Sequence, residues 1–419
     1  MDGVVYPEFQ FSQKDIECLR RLAERVAYHA NSQEMRKKAQ HWKKHNDLET
    51  EEPLVLISPE NGWGELLDAK SMECENPLAR SWEWGFRAEL YWAEVLKDDK
   101  VVLPFFDVPY CSSDTGWGVD IGRIGGQNGS TYVIKRGIED YEEDFKKLHH
   151  PQIIIDWEKS NQMLELANEI FAGILTVRRN QGWWWSLGLS NDYIHLRGLE
   201  DFMCDFVTEP EWVKKMFEFL CQGKLDMLDY LEENGLLSQN TEGSWVGSGG
   251  FGYTSQIPQK APGERIGPMD MWGFCESQET VCVDPDMYGE FIYPCHKKIM
   301  ERFALNCYGC CEPFDRVWKY VKNTPRLRRV SVSPWANWAS VPELLGKDYI
   351  ASVKPNPVSL AQADFDEAWV RKDCRRAVEE TKGGICEFIM KDTHTFAKCP
   401  HNAARWVQIM REEVDRIYG

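Results

Sequence analysis

The sequence predicts an α/β protein, a (β/α)8 barrel preceded by a mostly helical N-terminal extension. Three observations predict it. From about Val101 onward, short apolar runs alternate with amphipathic helical stretches. Runs that are apolar throughout suit parallel strands covered by helices rather than half-solvated strands. About eight such units fit in the stretch from there to the C-terminus, the count a barrel needs. A doubly wound open sheet is the competing architecture.

The elements follow in order. A helix is expected from about Ser12 to His29, with Ser12 as its cap and Asp15 in the first turn. Ile16, Leu19, Leu22 and Val26 fall on one face. The basic runs Arg36–Lys38 and Lys43–Lys44 read as a solvated helix face. Residues 1–95 form the extension, mostly helical, with one short apolar run at Leu54–Ile57. Residues 96–419 form the barrel. Its candidate strands are Val101–Phe106, Ile174–Val177, Trp183–Leu187, Met271–Cys275, Phe303–Cys307, Val330–Ser333, Ile350–Val353 and Ile385–Met390. Helices are expected at Pro210–Glu233, Pro285–Glu301, Glu312–Lys322 and Asp364–Thr381. The last helix, about His401–Tyr418, buries Trp406, Met410, Val414 and Ile417 at helical spacing.

Composition narrows the function. The chain has 419 residues, 49 basic and 67 acidic, a net charge of −18. That balance argues against nucleic acid and against a polybasic membrane anchor. No basic-then-apolar leader opens the chain, and no apolar run is long enough to span a bilayer. A soluble cytoplasmic protein is expected. Its 14 cysteines lack disulfide-scaffold spacing and are expected to be reduced. The 18 tryptophans fill a large core or line an aromatic-accepting cavity.

Several familiar signatures are missing. There is no dinucleotide GxGxxG in context, no phosphate loop, no GxSxG elbow and no HExxH zinc motif. The glycine-rich run Gly243–Tyr253 is either a substrate loop or a plain structural one.

In a barrel, reactive groups sit where strands end. Cys310 and Glu312 follow an apolar run two residues apart, so in extended chain they face one side. A thiolate and a carboxylate so placed can bind zinc, and His394 can supply a third ligand from the last strand end. Whether Cys310 or Cys311 is the sulfur ligand stays open. Asp392 lies beside His394 as a candidate catalytic carboxylate. Gln278 and Glu279 follow another strand, the first a substrate contact and the second a catalytic candidate or a helix-start residue. Lys354 at a strand end can stabilise developing negative charge, with Asn356 beside it as a substrate contact. Trp184, with Tyr193 and His195 downstream, can wall a cavity for a planar substrate.

Five segments, in this order, carry a family likeness: Leu196–Glu200, Asp284–Ile292, Tyr308–Glu312, Lys354–Pro357 and Lys391–Thr395. From about Asp140 onward the chain resembles the uroporphyrinogen decarboxylase superfamily, whose fold is a (β/α)8 barrel. The arginine-rich N-terminal motif of the true decarboxylases is missing. The resemblance therefore points to the other branch, zinc-dependent methyltransferases that exchange methyl groups with a corrinoid on a partner protein. In that branch the zinc ligands are His-x-Cys and a distant Cys. Here Cys310-x-Glu312 has the same spacing and His394 takes the distant place. A site less rich in sulfur suits an oxygen leaving group. The resemblance thus implies demethylation of a small methylated substrate, an aromatic methyl ether first, with zinc as Lewis acid and the methyl group passing to cobalt. Methylamine and betaine substrates remain open. The alternatives are a metal-free decarboxylase-like lyase and a corrinoid- or aromatic-binding protein. A homodimer is the family expectation.

Overall fold

Eight parallel strands organise the protein: β1 (Leu54–Ile57), β2 (Phe105–Val108), β3 (Thr176–Arg179), β4 (Trp272–Cys275), β5 (Leu305–Tyr308), β6 (Leu327–Val332), β7 (Ile350–Val353) and β8 (Ile385–Met390). The computed structural model describes residues 6–125, 132–134, 136–261 and 263–419. Six strands form one parallel sheet in the order β1-β8-β7-β6-β5-β4, and β2 and β3 form a separate parallel pair. The protein is therefore α/β with a parallel central sheet. Among the described residues the ladder does not close into a barrel.

Both open edges are occupied by something other than a strand. On β1, the Val55 N–H donates to the Asp99 carboxylate at 2.6 Å and the Ile57 N–H to Asp98 at 2.9 Å. The Asp99 N–H returns a bond to the Val55 carbonyl. On β4, the Leu187 N–H donates to the Phe274 carbonyl, and Asn240 bonds both the N–H and the carbonyl of Trp272. Edge polar groups satisfied in this way need no further strand.

Two expectations change here. Leu54–Ile57, inside the stretch read as a helical extension, is an edge strand of the main sheet, paired residue for residue with Glu387–Met390. Trp183–Leu187 is not a strand. The other candidate strands all overlap observed ones.

The sheet has two different faces. Val55, Ile57, Val330, Val332, Ala351, Val353, Phe388 and Met390 pack outward into one large core with the covering helices, including Pro210–Glu233, Glu367–Glu380 and His401–Tyr418. Alternate residues point the other way. Leu54, Leu56 and Ile389 join a second core with helices Gln13–Ala30, Gln33–Asn46 and Pro77–Tyr91. The first of these helices starts as read, with Ser12 and Asp15 bonding each other's backbone N–H. Each fully buried aliphatic or aromatic side chain stabilises the fold by about 1.5–3 kcal/mol. Among the described residues no helix is long and apolar enough to cross a membrane.

The glycine-rich run lies against the inner face. Asn46 Nδ2 donates to the Phe251 and Tyr253 carbonyls, both at 2.7 Å, which ties the run to the end of helix Gln33–Asn46. At Gly252 a Cβ would lie 1.9 Å from the Asn240 carbonyl oxygen. Gly252→Ala is expected to cost about 1–3 kcal/mol, read as a lower urea midpoint at unchanged slope.

Candidate functional site

A cavity of about 1160 Å³ opens between the six-stranded sheet and the β2/β3 pair. Trp82, Trp183, Trp184, Trp185, Trp245 and Trp272 line it, with Phe105, Phe106 and Phe274. The indoles are braced: Trp183 Nε1 donates to the Leu236 carbonyl at 2.9 Å, Trp272 Nε1 to that of Gly252 at 3.0 Å, and Trp245 packs on Phe251. Aromatic walls of this kind suit a flat, weakly polar ligand.

Six charged side chains line the cavity, and all six are paired. Lys100 Nζ lies 2.8 Å from Glu89, Lys391 Nζ 3.1 Å from Glu60, and Arg178 is forked against Asp107. Three cations meet three carboxylates, so the cavity lining is charge-compensated.

The Lys391–Glu60 pair stands at the carboxyl ends of β8 and β1. Glu60 also accepts the Asp392 N–H at 3.1 Å. Glu60 and Asp392 both adopt left-handed backbone, with φ of 46° and 55°. Non-glycine residues held there cost on the order of 1 kcal/mol or more each, and such strain gathers at functional sites. From Asp392 a polar chain runs on: Cys311 Sγ to Asp392 Oδ2 at 3.8 Å, Cys310 Sγ to Cys311 Sγ at 3.7 Å, and Ser248 Oγ to Cys310 Sγ at 3.3 Å. The hydrogen bond with Cys311, then burial, pushes the Cys310 thiol well up.

The three expected zinc donors do not come together. The carboxylate of Glu312 accepts the Ser277 N–H at 2.7 Å and the Cys310 N–H at 2.9 Å, so it braces two strand-end loops. His394 is exposed, and its Nδ1 meets Asn61 Nδ2 at 2.8 Å. Among the described residues, Cys310, Glu312 and His394 do not form a group whose ligand atoms lie within 4.8 Å of one another. This donor set does not fit a zinc ion at this rim.

The remaining expected residues separate. Trp184 lines the cavity. Tyr193 is fully buried in the helical core, its hydroxyl bonded to Tyr141 at 2.9 Å. His195 is bonded to its own helix at the Asn191 carbonyl. Glu279 accepts Ser190 Oγ at 2.6 Å and Asn191 Nδ2 at 3.1 Å, fastening the start of helix Ser190–Arg197. Gln278 donates its backbone N–H to Glu276 at 3.0 Å. Asn356 caps the short turn after β7 through the Val358 N–H. None of these last five is among the cavity-lining residues. Glu276, fully buried on the inward register of β4, has a carboxyl raised well above its usual range by burial and then by Glu312 and Glu279.

Beneath the rim lies a buried charge cluster. Arg329 Nε is 3.0 Å from Glu387 Oε1, and its guanidinium donates to Asn46 Oδ1 at 2.6 Å. Ser352 Oγ donates to Glu387 at 2.5 Å, and His45 Nε2 lies 3.4 Å away. Lys354 Nζ donates to the Ser352 hydroxyl and to its carbonyl at 3.1 Å. Burial pulls the Lys354 ammonium down to about 7, against the opposing pull of Glu387. Burial alone would raise Glu387, but Arg329 and then His45 outweigh it and hold the carboxyl at about 2. Lys354 thus sits in the cluster under the cavity and is not part of its lining.

No protein-family profile and no curated protein matches the chain. Among solved structures it is similar to a methyltransferase from Methanosarcina mazei, at 12% identity and a TM-score of 0.49, over 90% of this chain and 97% of that one.

Proposed function

We propose that the chain is a methyltransferase that takes a methyl group from a small uncharged aromatic, an aryl methyl ether first, and passes it to a corrinoid held by a partner protein. The charge-compensated, tryptophan-walled cavity at the strand ends carries this reading. A tetrapyrrole decarboxylase must hold several carboxylates with unpaired cations, and the three cations here already face carboxylates. An uncharged ring needs none. Three of the five segments of the family likeness follow β5, β7 and β8 at one rim. The eight parallel strands are read as a (β/α)8 barrel spread open between β1 and β2 and between β3 and β4.

The corrinoid supplies a nucleophilic cobalt when its carrier is bound. The protein's own residues do the rest. The indoles hold the ring and exclude water. The methyl–oxygen bond breaks with its electron pair left on oxygen, and the Lys391 ammonium, fixed by Glu60, faces that charge. Gly249 makes room for this lysine. Its φ is 115°, and a Cβ there would lie 3.1 Å from Lys391 Cδ. Gly249→Ala is expected to lower turnover about tenfold through misplacement of the charge, with substrate affinity nearly kept.

The direct test mixes the purified chain with reduced corrinoid and a panel of methoxyarenes. Phenol and methyl-corrinoid are expected in equal amounts. Neither product from any methoxyarene, or carbon dioxide released from a uroporphyrinogen instead, would overturn the proposal.

A further inference from the structure

We propose that Cys18, Cys74 and Glu83 form a structural zinc site that ties the N-terminal helices together, independently of the catalytic rim. Cys18 lies on helix Gln13–Ala30, Glu83 on helix Pro77–Tyr91, and Cys74 in the loop entering the latter. Their ligand atoms all lie within 4.8 Å of one another, and among the described residues they are the group of three that meets this condition. All three are shut away from solvent, at 2%, 1% and 0% exposure. Neither cysteine is in a disulfide.

The donor chemistry fits zinc. Two thiolates and one carboxylate are a borderline-soft set, and a closed, buried site is the structural kind. The carboxylate is already aimed: Glu83 accepts the Glu73 N–H at 2.9 Å and the Cys74 N–H at 2.8 Å, and Arg87 grips it from the far end of the turn. Oriented ligands of this kind are the usual outer support of a metal site. Cys74 Sγ also donates to the Asp15 main-chain oxygen at 3.8 Å, so a carbonyl oxygen adjoins the group. Binding exchanges two thiol protons, released to solvent, for one divalent cation. The charge then closes. Two thiolates and a carboxylate carry −3, zinc returns +2, and Arg87 faces the remaining −1.

Arg21 reaches Cys18 Sγ at 3.8 Å but is spent on Glu73 at 2.7 Å.

Cobalt(II) titration of the metal-free full-length chain tests the site directly, because thiolate ligation gives a charge-transfer absorption. About one equivalent is expected to bind with that band. The band is expected to vanish in Cys18→Ser and in Cys74→Ser, to weaken in Glu83→Gln, and to persist in Cys310→Ala. Removing the metal from the native chain with a chelator is expected to lower its unfolding midpoint, and zinc to restore it. The chelator comparison needs no variant to fold. No thiolate band in the native chain, a band kept in both cysteine variants, or a Cys18–Cys74 disulfide in freshly reduced and repurified protein would overturn the proposal.

Discussion

Glu387→Gln is expected to destabilise the protein by about 3–5 kcal/mol, the cost of breaking a fully buried ion pair from one side. Gln keeps the shape but removes the one carboxylate that Arg329, Lys354 and His45 share. Arg329 keeps its bond to Asn46, and its charge is left without an anion in a site from which solvent is excluded. The pH dependence has a definite sign. The folded carboxyl is held at about 2, below its unfolded value near 4.5. Its stabilisation, about 3 kcal/mol, is therefore full above pH 4.5 and is lost as pH falls toward 2. Lys354 acts in the other window. Its folded value of about 7 lies below its unfolded 10.5, so between these the unfolded chain binds more protons and stability rises with pH. Urea unfolding at pH 3, 7 and 9 measures both. A Glu387→Gln loss below about 1 kcal/mol at pH 7 would show that Arg329 does not depend on this carboxylate for its burial.

Local pattern made most of the fold legible, and the exceptions have physical causes. β7 and β8 are mostly apolar runs, broken by Ser352 and Glu387 and bounded by polar turns, and they are readable to the residue. Leu54–Ile57 has the same look, yet its four residues carry no period and its neighbours are helical. Only its pairing with Glu387–Met390, distant in sequence, makes it a strand. At the β1 edge of the sheet the partners are not a strand but Asp98 and Asp99, which bond it through their side chains. The indole run Trp183–Trp185 looks like a buried strand by composition, but its rings face a cavity.

The site was less legible, for a reason that lies in the backbone. The expected convergence of Cys310 and Glu312 assumed that the chain stays extended past β5. Gly309 has φ of 89°, so alternation ends there, and Glu312 turns back onto the Cys310 N–H. The same holds after β8, where Asp392 at φ 55° swings His394 out to Asn61. Alternation does hold up to Lys391, which shares the inward register of Glu387 and Ile389. That signal was available and points to the lysine that lines the cavity. Glu60 gave no such signal, because its place beside Lys391 follows from the pairing of β1 with β8.

Lys391→Met is expected to lower turnover by about 100- to 1000-fold with the Michaelis constant within a few-fold of the native value. The argument is differential binding. An aryl ether oxygen is neutral in the ground state, so the ammonium gains most when the methyl–oxygen bond breaks and charge collects on oxygen. An arginine at this position keeps the charge and is expected to recover part of the loss. Glu60→Gln leaves the lysine charged but unanchored, and it releases the Asp392 N–H, so a smaller fall is expected. The effect must scale with the leaving group. Substrates whose phenols are more acidic need less stabilisation, and the gap between native and Lys391→Met is expected to narrow along such a series. Steady-state kinetics on three or four ring-substituted methoxyarenes, with unfolding midpoints as the control for structure, measures this. A variant that lost substrate affinity but kept its turnover would assign Lys391 to holding the ring, and the charge on the leaving oxygen would then have to be met from elsewhere on the rim.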